Sequence, residues 1–327
     1  MTAREPRPLP RPDAQSYEAE RRRLLNRASI AYLLDVVTLA RDGRHPLDAL
    51  LLSTITQANV AQVSARADLQ VELASAHTPP PDEMRRPVSI NALASSLRLP
   101  FETVRRRVHA LKAAGLCRIE PAGVVVPTEI LLSEPYLRQA YAAYERLRVF
   151  HATLSDLGAL EGLPAPTIEH DGGFLPLRAV ARLATDYVLR ALDLAQAEFH
   201  DLFSALLLLE VVRSNTEHLG LRPESPEMLD PRGFLYDAHR RPVRVSQLAE
   251  RVGLPRETAR RHVRLLLDAG WLQRAGSGVI APAKALARPG SIRFAVENTM
   301  HLRRMFAALS QLGVLAIWDD LRARPAT

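Results

Sequence analysis

The chain has one cysteine, Cys117, and only two lysines, Lys112 and Lys284, among its 327 residues. A single cysteine excludes an internal disulfide and a zinc site built from cysteines. The longest apolar run, residues 205–209, is far shorter than the roughly 20 residues that cross a bilayer. The first 25 residues carry charges and prolines but no apolar segment, unlike a secretory signal. We therefore expect a cytoplasmic protein without disulfide, metal or membrane contact.

Motifs that carry enzyme chemistry are also missing. The sequence contains no phosphate-binding loop, no dinucleotide fingerprint and no acid pair in a supporting context. The ten histidines are scattered, and His151 aligns with Phe306 in an internal repeat described below, which favours helix packing over metal ligation. Residues 276–278 (GSG) resemble part of a nucleophile elbow, but they fall in a predicted hairpin loop. We expect no catalytic activity and no cofactor.

The overall composition of the chain favours a packed protein with an acidic partner. Hydrophobic residues make up 47% and charged residues 24% of the chain, whose length suits about two domains. The formal net charge is +7 and the pI is about 10.0. This balance indicates nucleic acid first and an anionic membrane second. Because nearly every basic residue is arginine, the positions of the arginines matter more than their number.

One segment occurs twice, 155 residues apart. LPFETVRRRVHALKAAGL (99–116) corresponds to LPRETARRHVRLLLDAGW (254–271), and the offset follows from Pro100 and Pro255 (255 − 100 = 155). Between residues 85–127 and 240–282, 19 of 43 positions are identical without a gap. The similarity continues on both sides of this segment. Because self-similarity at a fixed offset indicates repeated units, the sequence predicts two copies of one domain fused in tandem.

We predict a flexible N-terminal arm over residues 1–26, a first repeat over 27–160, a linker over 161–176 and a second repeat over 177–327. In the first repeat, composition and apolar spacing predict helices over 28–41 and 46–76, a helix capped by Asn91, one from Pro100 to before Gly115, and a long helix over 134–160. A hairpin is expected over 116–126. The predicted fold is mainly α with small β-wings: two tandem winged helix-turn-helix domains with flanking helices and a pseudo-two-fold arrangement.

A short helix, a tight turn, a second helix and a hairpin form the layout of a winged helix-turn-helix. Residues 86–127 and 241–282 resemble that superfamily of bacterial transcriptional regulators over about a quarter of the chain. The R-E-T-x-x-R string at 256–261 is similar to the cyclic-AMP-receptor type, and T-V-R at 103–105 to the GntR type. The order of helices, winged domain and long helix resembles the MarR family. No cyclic-nucleotide domain precedes either motif, and the wing loops EPA and AGS carry little charge.

The second helix of each motif has the pattern of a DNA recognition helix. Val104, Val108 and Leu111 share one apolar face, as do Ala259, Val263 and Leu266, which leaves the charged residues on the opposite face. Arginine can donate two bonds to guanine, glutamate can accept from cytosine, and threonine can contact phosphate. The predicted DNA-binding residues of the first repeat are Phe101, Glu102, Thr103, Arg105, Arg106, Arg107 and His109. Those of the second repeat are Arg256, Glu257, Thr258, Arg260, Arg261, His262 and Arg264, with Arg274 and Ser277 in the wing.

A solvated basic face without a DNA partner is the structural alternative. In that case Glu102 and Arg106 form an i,i+4 ion pair that contributes roughly 0.3–0.5 kcal/mol. This alternative carries more weight for the first repeat, where Phe101 stands in place of Arg256.

The sequence thus predicts a sequence-specific regulator that binds double-stranded DNA, a repressor acting by occlusion and associated with the nucleoid. It uses two recognition helices in one chain, either as a monomer that imitates a dimer or as a homodimer. The alternative is a replication initiator or chromosome-associated protein, since both groups use tandem winged helices. A small-molecule effector is not identified. Four aromatic residues fit core packing better than an effector pocket: Tyr136, Tyr141, Tyr144 and Phe150.

Overall fold

A computed structural model describes residues 14–168 and 175–323, which we call the first half and the second half. Both halves are mainly helical and each contains one antiparallel two-stranded hairpin. The elements of the first half are α1 (Ala14–Arg41), α2 (Pro46–Asn59), α3 (Ala61–Ser64), α4 (Ala67–Glu72), α5 (Ile90–Ser96), α6 (Phe101–Ala113), β1 (Arg118–Glu120), β2 (Gly123–Val125), α7 (Thr128–Leu132) and α8 (Glu134–Asp156). Those of the second half are α9 (Leu177–Glu198), α10 (Leu202–Thr216), α11 (Val245–Val252), α12 (Arg256–Asp268), β3 (Gln273–Ala275), β4 (Gly278–Ile280), α13 (Ala283–Leu286), α14 (Pro289–Gln311) and α15 (Val314–Ala323).

The N-terminal helix corrects the predicted arm. Helix α1 begins at Ala14, and Leu24 and Leu25 are buried, so a flexible arm reaching residue 26 is wrong over residues 14–26. Residues 1–13 of that arm and residues 169–174 of the predicted linker lie outside the described residues.

Two helix boundaries also differ from prediction. The helix expected over 46–76 is divided into α2, α3 and α4. The predicted cap Asn91 is wrong, because the Ser89 side chain accepts a hydrogen bond from the Ala92 amide and caps α5 two residues earlier. A hydroxyl at that position satisfies an amide that the helix leaves unpaired.

Two helix-turn-helix units have the same local geometry. The turn between α5 and α6 places Arg98 at φ +52°, and the turn between α11 and α12 places Gly253 at φ +76°. The left-handed conformation is natural for glycine and uncommon for arginine. Pro100 and Pro255 then precede α6 and α12 with φ near the value that the proline ring fixes.

The predicted apolar faces of the second helices are confirmed. Val104, Val108 and Leu111 of α6 are buried against α2. On α12 the buried set Ala259, Val263 and Leu266 faces α10 in the same way. This packing fixes which side of each helix is left for solvent.

The hairpins are held by close backbone contacts. Val88 bridges Val124 of β2, and Val243 bridges Val279 of β4. A Cβ atom at Gly123 or Gly278 would lie within 2.7 Å or 2.5 Å of the backbone of Val88 or Val243. Glycine is therefore required at the same place in both hairpins, because any side chain would push the strands apart.

A buried asparagine ends the helix behind each hairpin. Asn59 donates to the Arg86 and Val124 carbonyls at 2.8 and 3.1 Å and accepts from the Val126 amide at 2.9 Å. Asn215 donates to the Arg241 and Val279 carbonyls and accepts from the Ala281 amide. Each asparagine thereby fastens the hairpin and the segment before it to the helix.

We expect Asn215→Ala to lower the free energy of unfolding by about 2–3 kcal/mol, because it leaves buried backbone groups without partners. Urea unfolding followed by circular dichroism measures this. Asn91→Ala is the matched control: its exposed amide caps nothing, so its effect should stay within about 0.5 kcal/mol. Equal effects of the two variants would contradict the assigned role of Asn215.

The two halves interleave around one continuous core. Helix α1 packs on α2 and α8 of its own half and on α10 of the other, while α9 packs on α10 and α14 and also on α2 and α8. The rings of Tyr32 and Tyr187, which both are buried, lie 6.1 Å apart where α1 meets α9. Among the described residues, no helix is both long and apolar enough to pass through a membrane.

Candidate nucleic-acid interface

Helices α6 and α12 each present a charged face to solvent. The residues on this face correspond pairwise at the offset of 155: Glu102 to Glu257, Arg105 to Arg260 and Arg106 to Arg261. All six are exposed, as are Phe101, His109, Arg256 and Arg264. Thr103 and Thr258 are half-buried.

The same ion pair forms on both helices. A guanidinium nitrogen of Arg105 lies 2.8 Å from a carboxylate oxygen of Glu102. The equivalent distance from Arg260 to Glu257 is 2.5 Å, and both pairs have i,i+3 spacing. The hydrogen bond from Arg105 holds the pKa of Glu102 below its usual range. The i,i+4 pair considered from the sequence is not formed: within residues 14–168 and 175–323, Arg106 has no ion pair or hydrogen-bonded side chain. Among the described residues, the Arg106 guanidinium is thus unpaired although Glu102 lies on the same face.

The N-termini of both helices point unpaired amides outward. Neither Pro100 nor Pro255 caps its helix with a side chain, and the first turns carry one acidic residue each. The amides of a helix N-terminus and its dipole favour phosphate oxygens. Each helix can therefore fix its end on a DNA backbone while its arginines face the groove.

Arg107 does not share the exposed face with its neighbours. Its guanidinium lies 3.2 Å from a carboxylate oxygen of Asp48 on α2. The predicted DNA contact of Arg107 is therefore corrected: position 107 borders the buried stripe, and Asp48 draws the side chain inward.

His262, at the position equivalent to Arg107, is buried, and its predicted DNA contact is wrong. Its Nδ1 lies 3.0 Å from the Ser204 hydroxyl and 3.3 Å from Asp201, and Arg261 donates to its Nε2 at 3.3 Å. Since the Ser204 hydroxyl donates to Asp201 at 2.6 Å, a proton on Nδ1 fits all of these contacts. His262 thus attaches α12 to α10 and helps to orient Arg261.

The side chains that anchor α6 and α12 were missed from the sequence. Asp201 caps α10 and accepts from the Phe203 and Ser204 amides. Burial raises the pKa of Asp201, but hydrogen bonds from His262 and Ser204 outweigh it and bring the pKa well below its usual range. The Asp-x-x-Ser string is a visible capping signal, yet nothing local links it to a histidine 58 positions later.

The two wings differ in charge. Arg274 and Ser277 of the second hairpin are exposed, and Arg274 has no ion pair in the part of the chain that the structure describes. In the first hairpin, Arg118 is held by Glu129 at 3.0 Å, and Glu120 adds a negative charge. The second half therefore offers the more basic surface. The described residues contain no cluster of three or more His, Cys, Asp or Glu that fits a metal ion.

A comparison with known protein families finds a match, which covers the helix-turn-helix and part of the hairpin of the second half. The profile of the IclR helix-turn-helix domain matches residues 237–276, which include α11, α12 and β3. The match supports a bacterial DNA-binding transcription regulator with double-stranded DNA as partner, and this family consists of regulators, not enzymes. It is a type that the sequence analysis did not name. No curated protein and no solved structure matches the chain.

Proposed function

We propose that this regulator binds specific sites on double-stranded DNA through two recognition helices, α6 and α12, carried by one chain. The observation that carries the proposal is the matched pair Arg106 and Arg261, each exposed beside a Glu–Arg ion pair. An arginine free of a carboxylate can donate two bonds to guanine in the major groove. Arg256 and Arg264 extend the basic face of α12.

We further propose that the halves are two copies of one winged helix-turn-helix unit related by a pseudo-two-fold axis. The equivalent bonds of Asn59 and Asn215 support this. Two further bonds are equivalent in the same way. Asp82 accepts a hydrogen bond from the Thr128 amide, and Asp237 accepts one from the Ala283 amide. The interleaved packing of α1 and α9 is the kind of contact that joins two subunits of a regulator dimer.

As the mechanism, we propose that the protein represses transcription by covering the promoter. A protein that places two helices in successive major grooves covers a promoter without needing chemistry. A chromosome-associated protein that coats DNA would bind with a lower specificity ratio, whereas a replication initiator would also select a specific site. Competition between a selected site and scrambled duplexes distinguishes a regulator from a protein that coats DNA.

We expect Arg261→Ala to weaken binding to a selected duplex by about 5- to 150-fold, equivalent to 1–3 kcal/mol, and to relax specificity at one base pair. Arg260→Ala should act more weakly and evenly on all sequences, since its guanidinium already pairs with Glu257. Gel-shift titration against specific and scrambled duplexes measures both. The matched control is Arg138→Ala, which removes an exposed arginine paired with Glu134 on α8. Negligible effects of both α12 variants would contradict the groove assignment.

A further inference from the structure

Two cavities lie at equivalent places in the two halves. The first cavity, between α1, α2, α8, α9 and α10, has a volume of about 180 Å³. The second cavity, which includes residues of α1, α10 and α14, has a volume of about 170 Å³. Leu52 and Thr56 line the first cavity where Leu208 and Val212, 156 positions later, line the second.

Each cavity contains a pair of arginines one helical turn apart. Arg178 and Arg182 of α9 line the first cavity, and Arg23 and Arg27 of α1, 155 positions earlier, line the second. In the second cavity a carboxylate joins the pair: Glu224 lies 3.4 Å from Arg23 and also bonds Arg27. Glu224 is buried, so one carboxylate from within the chain pairs with both cations and offsets one of their two charges.

Among the described residues, no carboxylate lines the first cavity. Arg178 and Arg182 are 5% and 7% exposed and donate only to backbone carbonyls. Across the described ranges neither forms an ion pair, and Nε of Arg182 has no hydrogen-bond partner. The acids of the neighbouring segment lie elsewhere: Asp68 pairs with Arg66, and Glu72 is exposed.

Two buried cations that have no counter-ion among residues 14–168 and 175–323 favour an anion from outside the protein. Burial, and next to it the charge of Arg178, lowers the pKa of Arg182 to about 10, so both side chains remain charged at neutral pH. A buried charge is costly unless it is paired, and a bound carboxylate would supply the partner. Glu224 shows that one carboxylate suits an arginine pair with this spacing.

Most of the remaining wall of the first cavity is apolar, although Ser53, Thr56, Gln57, Gln139 and Thr185 also line it. Val36, Leu50, Val188, Leu192 and Leu206 all face it. Tyr136 also lines this cavity, unlike the other three aromatic residues considered from the sequence, which are absent from its lining. The wall therefore suits a hydrocarbon or aromatic body attached to the anionic group.

We propose that the first cavity binds a small monocarboxylate with an apolar body, whose carboxylate pairs with Arg178 and Arg182 as Glu224 pairs with Arg23 and Arg27. The cavity touches α2, which holds the recognition helix α6 through Asp48 and Arg107. Ligand and DNA are then coupled, and this consequence alone rests on the proposed function. The coupling is reciprocal: each changes the affinity for the other by the same factor.

Calorimetric titration without DNA tests the site, with linear carboxylates from hexanoate to dodecanoate, benzoate, and the corresponding alcohols as probes. We expect one saturable carboxylate site and at least tenfold weaker binding of the matched alcohol. Arg182→Met, which keeps the apolar bulk, should weaken carboxylate binding at least tenfold without changing alcohol binding. Equal affinity for acids and alcohols, or no saturable binding anywhere in the series, would overturn the proposal.

A gain-of-site variant tests the same idea without removing a cavity arginine. Glu224→Ala frees Arg23 and Arg27, so the stoichiometry of carboxylate binding should rise from one to two. An unchanged stoichiometry in a folded variant would contradict the equivalence of the two cavities. Gel shifts with and without the carboxylate then measure coupling separately, so failure of DNA binding does not obscure the result at the cavity.

Discussion

Affinity for a cognate duplex is expected to fall by about 10³–10⁵ between 50 and 200 mM salt. Two helix N-termini without side-chain caps face outward, and the second half adds Arg256, Arg264 and Arg274 without ion pairs among the described residues. If both helices engage together, roughly 6–10 phosphates are neutralised, and each neutralised phosphate releases counter-ions.

The slope of log affinity against log salt measures this number. Arg274→Ala should reduce the slope by about one, since its side chain lies on the wing, where phosphate contact is expected. Arg138→Ala on α8 should leave the slope unchanged. A nearly flat dependence for the wild type would instead favour a surface that binds protein.

The apolar periodicity was sufficient to predict which faces of α6 and α12 are buried. Spacings of three and four residues placed Val104, Val108 and Leu111 on the buried side of α6, and the offset of 155 carried the same assignment to α12. These features are local, because a helix buries whichever stripe is apolar. The extent of α1 does not follow from local sequence: the N-terminal half of the helix contacts a loop of the other half, where Glu224 bonds Arg23 and Arg27.

The inward positions at 107 and 262 could not be predicted for a related reason. Arginine and histidine are polar, so a helical wheel places them with the exposed residues. Their partners, Asp48 and Asp201, lie about 60 positions earlier and meet them only after α2 and α10 have packed. The arginine pairs are aligned in the sequence, but the acid that distinguishes the second cavity, Glu224, lies in a loop outside the matched segment of residues 240–282.

The corrected interface predicts an imperfect inverted repeat as operator. Without Arg107 and His262, the exposed differences among the predicted contact residues of α6 and α12 are Phe101 against Arg256 and His109 against Arg264. The shared Glu-Thr and Arg-Arg residues should contact a common base step in each half-site, and the differing residues should contact different neighbours. Under the proposed pseudo-two-fold arrangement, the half-sites lie about one helical turn, roughly 10 base pairs, apart.

The half-site bound by α12 should dominate, because Arg256 and Arg264 add charges that Phe101 and His109 lack. Combined replacement of Arg256, Arg261 and Arg264 by alanine should lower affinity about 100-fold or more. Replacement of Arg106 and His109 should cost about 5- to 150-fold, equivalent to 1–3 kcal/mol. Footprinting of the wild type and both variants shows which half each helix protects, and Arg138→Ala controls for loss of charge. A single short footprint that disappears with one variant and is unchanged in the other would show that the remaining helix does not contact DNA.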